Sequence, residues 1–316
     1  MSELSHRRGD NKSVTAGGKL FLAGLAVTAG GAALLIARDG FPKSIAALET
    51  NPSAAPLAAG LTMVLVACFV YVLQPALRPA MAASIPFATV RTSLAMLVVA
   101  LVTANLISLP ALLPLGSGLA GSGSRALGPL RLAFLIAVSE IPIVAIVWLR
   151  LVLPGAMSWR ALGLRPRPFG EHARHGLIGG VTLFLTAGFV GALLTRVGVR
   201  QNQFDRFSGI EGAPAGLFVA AALAGCVLAP FAEELFFRGY IFQTFSGRYG
   251  RVWAYVFSAG LFAAVHANVA AAVPIFVLGL MLAYIFERSG SIVPGAIAHG
   301  LNNAIAFGLL YAGITG

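Results

Sequence analysis

Long runs of apolar and small residues, separated by short polar and basic connections, dominate this chain. Residues 20–37 give 18 such positions in succession, and comparable runs follow at roughly 54–77, 92–115, 132–149, 176–195, 215–245, 252–267, 269–286 and 291–314. Crossing a hydrocarbon layer of about 30 Å takes about 17–25 helical residues, so these runs predict membrane-spanning helices. The count is nine spans. The run at 252–267 is marginal, which leaves eight spans, or a re-entrant element, as the alternative. Residues 20–37 outrun a signal-peptide core and show no small-residue cleavage site, which predicts an uncleaved helix.

Composition agrees. Of 316 residues, 58% are hydrophobic and only 10% charged, with a mean hydropathy of +0.87. Soluble domains carry about 25% charged residues, so an ordinary cytosolic protein is excluded. The fold class is all-α, a polytopic transmembrane helical bundle of about eight to nine spans. The net charge of +11 does not signal nucleic acid, because the 19 Arg and 3 Lys fall mostly between apolar runs rather than on one basic face. With the N-terminus inside, fourteen Lys and Arg lie in cytoplasmic connections against seven outside. That bias puts the N-terminus in the cytoplasm and the C-terminus outside. The preference for Ala, Gly and Arg over Ile and Lys fits a GC-rich bacterial genome, and with it the cell (inner) membrane. Cys68 and Cys226 each sit within an apolar run, so no disulfide framework is implied.

Residues 1–19 read as a polar, basic cytoplasmic tail, 20–170 as a transmembrane scaffold, and 176–316 as the part that carries chemistry. The connection 150–175 mixes Trp159, Leu162 and Leu164 with arginines and predicts an interfacial segment on the inner leaflet. Within it, His172 and His175 flank Arg174 and read as solvated. The Gly- and Ser-rich stretch 116–124 predicts a flexible loop.

An ionisable side chain at membrane depth costs about 2.5–3.5 kcal/mol on insertion scales, so each needs a partner or a purpose. Such residues cluster in the second half: Glu233, Glu234 and Arg238 in one run, His266 in the next, and His299, Asn302 and Asn303 in the last. Residues four apart share a helical face, so Glu234 and Arg238 form a supporting ion pair. Glu233, rotated off that face, is the candidate general base. His299 and Asn303 project together, with Asn302 slightly aside. Counted from the cytoplasmic helix ends at 1.5 Å per residue, Glu233, His266 and His299 lie about 18, 21 and 12 Å deep, so one site can hold all three. Two chemistries suit it. Glu233 can activate a water for attack on a peptide carbonyl while His299 and Asn303 stabilise the oxyanion. Alternatively Glu233, His266 and His299 bind a metal such as zinc, which acidifies its bound water. Glu140, two residues before Pro142, reads as part of a structural kink rather than a substrate contact.

The runs Glu-Glu-x-x-x-Arg at 233–238, Phe-x-x-x-His at 262–266 and His-x-x-x-Asn at 299–303, in this order and each on a hydrophobic segment, resemble the three signature motifs of the CPBP family. That family comprises CAAX prenyl endopeptidases and bacteriocin-processing or Abi-type intramembrane proteases. The resemblance covers roughly residues 176–316. It implies an α-helical membrane endopeptidase, of a family whose members are named metalloproteases, with its site open toward the cytoplasm. Glu233, His266, His299 and Asn303 would be catalytic, and Glu234 and Arg238 supporting. The cofactor is zinc, or none if the glutamate acts alone. The expected partners are membrane lipid and a membrane-associated peptide or protein substrate, with no nucleic acid. Two other classes compete: a non-enzymatic scaffold or immunity protein with the same fold, and a proton-coupled transporter, for which matching repeats with broken helices would be expected. No Walker loop, dinucleotide fingerprint, nucleophile elbow or His-Glu-x-x-His pattern occurs.

Overall fold

The computed structural model describes residues 16–39, 55–77, 89–112, 129–165, 168–199 and 210–314. Most of the tail expected at 1–19 and the loop expected at 116–124 lie outside the described residues. Among those described there is no strand, and nine helices follow one another: α1 Ala16–Asp39, α2 Ala55–Leu77, α3 Val90–Leu112, α4 Pro129–Val152, α5 Phe169–Arg196, α6 Ala215–Tyr249, α7 Arg251–Val265, α8 Ala272–Ser289 and α9 Ile292–Tyr311. The protein is a polytopic helical bundle. Seven of the nine, all but α1 and α7, are long and apolar enough to cross a membrane.

The marginal run at 252–267 resolves into the 15-residue α7, about 22 Å long and short of the hydrocarbon thickness. Its end is local in origin. Ala267 takes a positive φ of 47°, and Asn268 Oδ1 accepts a hydrogen bond from the Ala271 amide, so the chain turns at His266 and returns as α8.

The helices divide into two compact units, residues 1–78 and 79–316. In the first, α1 and α2 approach closely because glycines meet the facing backbone: a Cβ on Gly24 would lie 2.9 Å from the Val64 nitrogen, and Gly31 and Gly60 are as tightly covered. Small residues do this wherever apolar helices pack without water.

In the second unit α5 packs on α9, α7 on α8, and α4 against both α3 and α6. The middle of α6 is its core, with Leu235, Phe236, Phe237, Tyr240 and Ile241 fully buried. Phe236, Phe237 and Phe242 are therefore packing residues rather than lipid-facing ones. Three stretches are wound as π-helix, Trp148–Val152, Ala224–Leu228 and Glu234–Phe242, and such widened turns concentrate at functional sites.

The segment before α5 differs from a simple interfacial strip. Trp159 stays partly exposed, but Leu162 is fully buried. Gln243 Nε2 donates to the Ala161 carbonyl at 2.5 Å, the Ile292 amide donates to the Gly163 carbonyl at 3.2 Å, and the Leu162 carbonyl presses against Gly239, where any side chain would collide. The turn is thus fastened to α6 and α9. His172, expected to be solvated, is buried at 5% exposure, while His175 is exposed. The reason is that α5 begins at Phe169, ahead of the expected 176, so its first turn already packs in the bundle. The α8–α9 turn follows standard capping: Gly290 is left-handed after α8, and Ser291 caps α9 by accepting from the Val293 amide.

Candidate active site

The charged core of the site begins with an ion pair inside α6. Arg238 Nη1 lies 2.6 Å from Glu234 Oε1, with both side chains fully buried, as the four-residue spacing predicts. The guanidinium also donates through Nη2 to the Gly279 carbonyl on α8, at 3.1 Å, and lies 4.4 Å from the ring centroid of Phe262 on α7. Arg238 therefore ties three helices together.

His299 enters from α9. Its Nδ1 stands 3.6 Å from Glu233 Oε2 and 3.8 Å from Glu234 Oε1, beyond hydrogen-bonding range of both. Close approach of α9 rests on glycine: a Cβ at Gly295 would sit 2.6 Å from Glu234 Oε2, and one at Gly300 would strike the Cys226 carbonyl. The oxygens Glu233 Oε2 and Glu234 Oε2 and the nitrogen His299 Nδ1 are all buried without a hydrogen-bond partner among the described residues. Buried polar atoms are normally paired, so a cluster of unpaired ones marks a site built to meet something else.

His266, at the C-cap of α7, joins through Phe262. Its Nδ1 is 2.7 Å from the Phe262 carbonyl. A carbonyl can only accept, so Nδ1 donates and Nε2 carries the lone pair of the neutral ring. The Phe262 ring makes edge contacts with both imidazoles, at centroid distances of 4.8 Å to His266 and 5.6 Å to His299. Phe262 thus spaces the two histidines, a role beyond its use as a motif marker.

Asn303 Nδ2 donates to the Gly225 carbonyl at 2.9 Å, and Asn302 Nδ2 to Asn303 Oδ1 at 3.1 Å. The acceptor has a clear origin. In the π-turn the Ala229 amide bonds to the Ala224 carbonyl, and Pro230, next along, has no amide to give. The Gly225 carbonyl is left over, and Asn303 takes it.

Glu233, Glu234, Arg238 and His299 are therefore gathered at one place, with His266 attached across Phe262 and Asn303 on the next turn of α9. Among the described residues no three His, Cys, Asp or Glu side chains are positioned to hold one metal ion.

One carboxylate lies nearer the site than its reading as a kink predicts. Glu140 on α4 is buried, and α4 packs directly on the part of α6 that carries Glu233.

Residues 215–305 match the family model Rce1-like, type II CAAX prenyl endopeptidase Rce1-like. The match spans α6, α7, α8 and most of α9 and takes in Glu233, Glu234, Arg238, His266, His299 and Asn303, in keeping with the CPBP resemblance of the three motifs. The segment is similar to the type II CAAX prenyl endopeptidases, within a multi-pass membrane protein. No curated relative and no solved structure matches the chain.

Proposed function

We propose that this protein is an intramembrane endopeptidase that hydrolyses a peptide bond in a membrane-associated protein or peptide, with Glu233 as the base. What carries the reading is the approach of Glu233 and His299, 3.6 Å apart, beside a fully buried ion pair. A carboxylate and an imidazole sharing a pocket, with an amide one turn further on, match the needs of water activation and oxyanion stabilisation.

Glu233 takes a proton from water as the water oxygen bonds to the substrate carbonyl carbon. His299 and Asn303 donate to the resulting oxyanion, Asn303 through the N–H not used on Gly225. As the tetrahedral intermediate collapses, the C–N bond breaks and the proton passes from Glu233 to the departing amine. Arg238 holds the neighbouring Glu234 in the buried pair at 2.6 Å, so that Glu233 is the carboxylate left to react. The N-terminus is cytoplasmic, the site opens toward the inner leaflet, and a lipid-anchored chain end of the CAAX prenyl type is the substrate class.

The test uses purified protein in liposomes with a fluorescence-quenched farnesylated reporter peptide. Wild type cleaves it, and Glu233→Ala folds but does not. Full activity in Glu233→Ala overturns the assignment.

A further inference from the structure

Glu140 lies outside the matched stretch 215–305, on a helix the sequence assigns to the scaffold. It is 7% exposed. Ser139 Oγ donates to its Oε1 at 3.0 Å, whereas its Oε2 is buried with no hydrogen-bond partner. An ionised carboxylate has about four acceptor positions, and a proline kink at 142 needs none of them, so an apolar side chain would serve the kink at lower cost in the membrane. Glu233 presents the same feature, a buried Oε2 without a partner, from the part of α6 on which α4 packs.

We propose that Glu140 is a second catalytic carboxylate of the hydrolytic site, its free Oε2 holding, jointly with Glu233, the water that attacks the substrate. Water has two O–H donors. Giving one to each carboxylate fixes its orientation and leaves a lone pair free for the carbonyl carbon. Only Glu233 then accepts a proton: one O–H bond breaks toward Glu233 as the O–C bond forms, and the same proton later reaches the departing amine. Glu140 keeps its hydrogen bond throughout, and Ser139 holds its other oxygen.

This inference rests on the hydrolytic role of Glu233, and the experiment separates the two. The farnesylated reporter is assayed in liposomes with wild type, Glu233→Ala, Glu140→Ala, Glu140→Gln and Glu140→Asp. Loss of water orientation lowers kcat by about a hundredfold in Glu140→Ala with KM unchanged. Added formate restores part of the rate, and Glu140→Asp retains more than Glu140→Ala. If Glu140→Ala does not fold, the isosteric Glu140→Gln carries the test, with a reduced kcat at an unchanged melting temperature. A kcat that falls only with the melting temperature, without formate rescue, leaves Glu140 as a kink residue and overturns the proposal. Full activity in Glu140→Ala beside an inactive Glu233→Ala overturns this inference alone. Full activity in Glu233→Ala overturns the reading of the site itself.

Discussion

His299 Nδ1 stands 3.6 Å from Glu233 Oε2, just outside hydrogen-bonding range. Neither atom has a hydrogen-bond partner among the described residues, so the gap between them is where a reacting group can be received. Removing a donor aimed at a developing oxyanion costs about 10²–10³ in turnover. His299→Ala is expected to lose kcat by that order while its melting temperature in detergent stays near that of wild type. A large fall in melting temperature with proportionate loss of active protein would instead make His299 a packing residue.

The Glu234–Arg238 pair behaves differently, because both partners are fully buried. Removing one leaves the other charge uncompensated, at a cost of about 3–5 kcal/mol. Arg238→Met should therefore unfold at a markedly lower temperature than wild type. The double variant Glu234→Leu with Arg238→Met should recover much of that loss, since no naked charge remains. A double-mutant cycle by thermal unfolding measures the coupling, and additive losses would show that the pair is not the source of the effect.

Seven of the nine expected spans, the facing of Glu234 and Arg238 and the gathering of His299 with the glutamates were readable from apolar runs and helical spacing, whereas the runs that became α1 and α7 were counted as spans. Spacing reports which residues share a face. It does not report how wide a helix is wound, and that is why the role of Asn303 was only half visible: its acceptor exists because Pro230 denies an amide to a carbonyl in a π-turn. Nor does it report which helix lies alongside, so Glu140 looked like a kink until α4 was seen packed on α6. The membership of Leu162 in the core was hidden for the same reason, since the glycine that admits its carbonyl, Gly239, lies far along the chain.

Gly295 tests the closeness of α9 to the ion pair. A Cβ there would lie 2.6 Å from Glu234 Oε2, and that carboxylate cannot swing aside freely while Arg238 holds its other oxygen. Gly295→Ala should cost about 1–3 kcal/mol of stability, as overpacking does, and lower activity by displacing His299 on the same helix. Wild-type stability and turnover in Gly295→Ala would mean that α9 can back away without consequence.

Chelation bears on the choice between the two chemistries. No three candidate ligands converge on one point among the described residues. Turnover of the reporter peptide is expected to survive 1,10-phenanthroline and EDTA. A loss that zinc restores would require the histidines to rearrange around an ion and would replace the glutamate-only route.

Asn303 offers the sharpest separation of structure from chemistry. Its Nδ2 satisfies the Gly225 carbonyl, which the backbone leaves unpaired because the Ala229 amide is used on Ala224 and residue 230 is proline. Asn303→Ala strands that buried carbonyl, at about 1–3 kcal/mol. Pro230→Ala returns an amide to the position from which a helix would supply it. In the Pro230→Ala background, Asn303→Ala should therefore cost less stability than it does alone, with a coupling of about 0.5–3 kcal/mol. Activity should not recover, because the second N–H of Asn303, offered to the oxyanion, is still missing. Thermal unfolding and reporter turnover on the four proteins read the two effects independently. Strictly additive stabilities would break the link between the proline and the amide, and restored turnover would remove Asn303 from the chemistry.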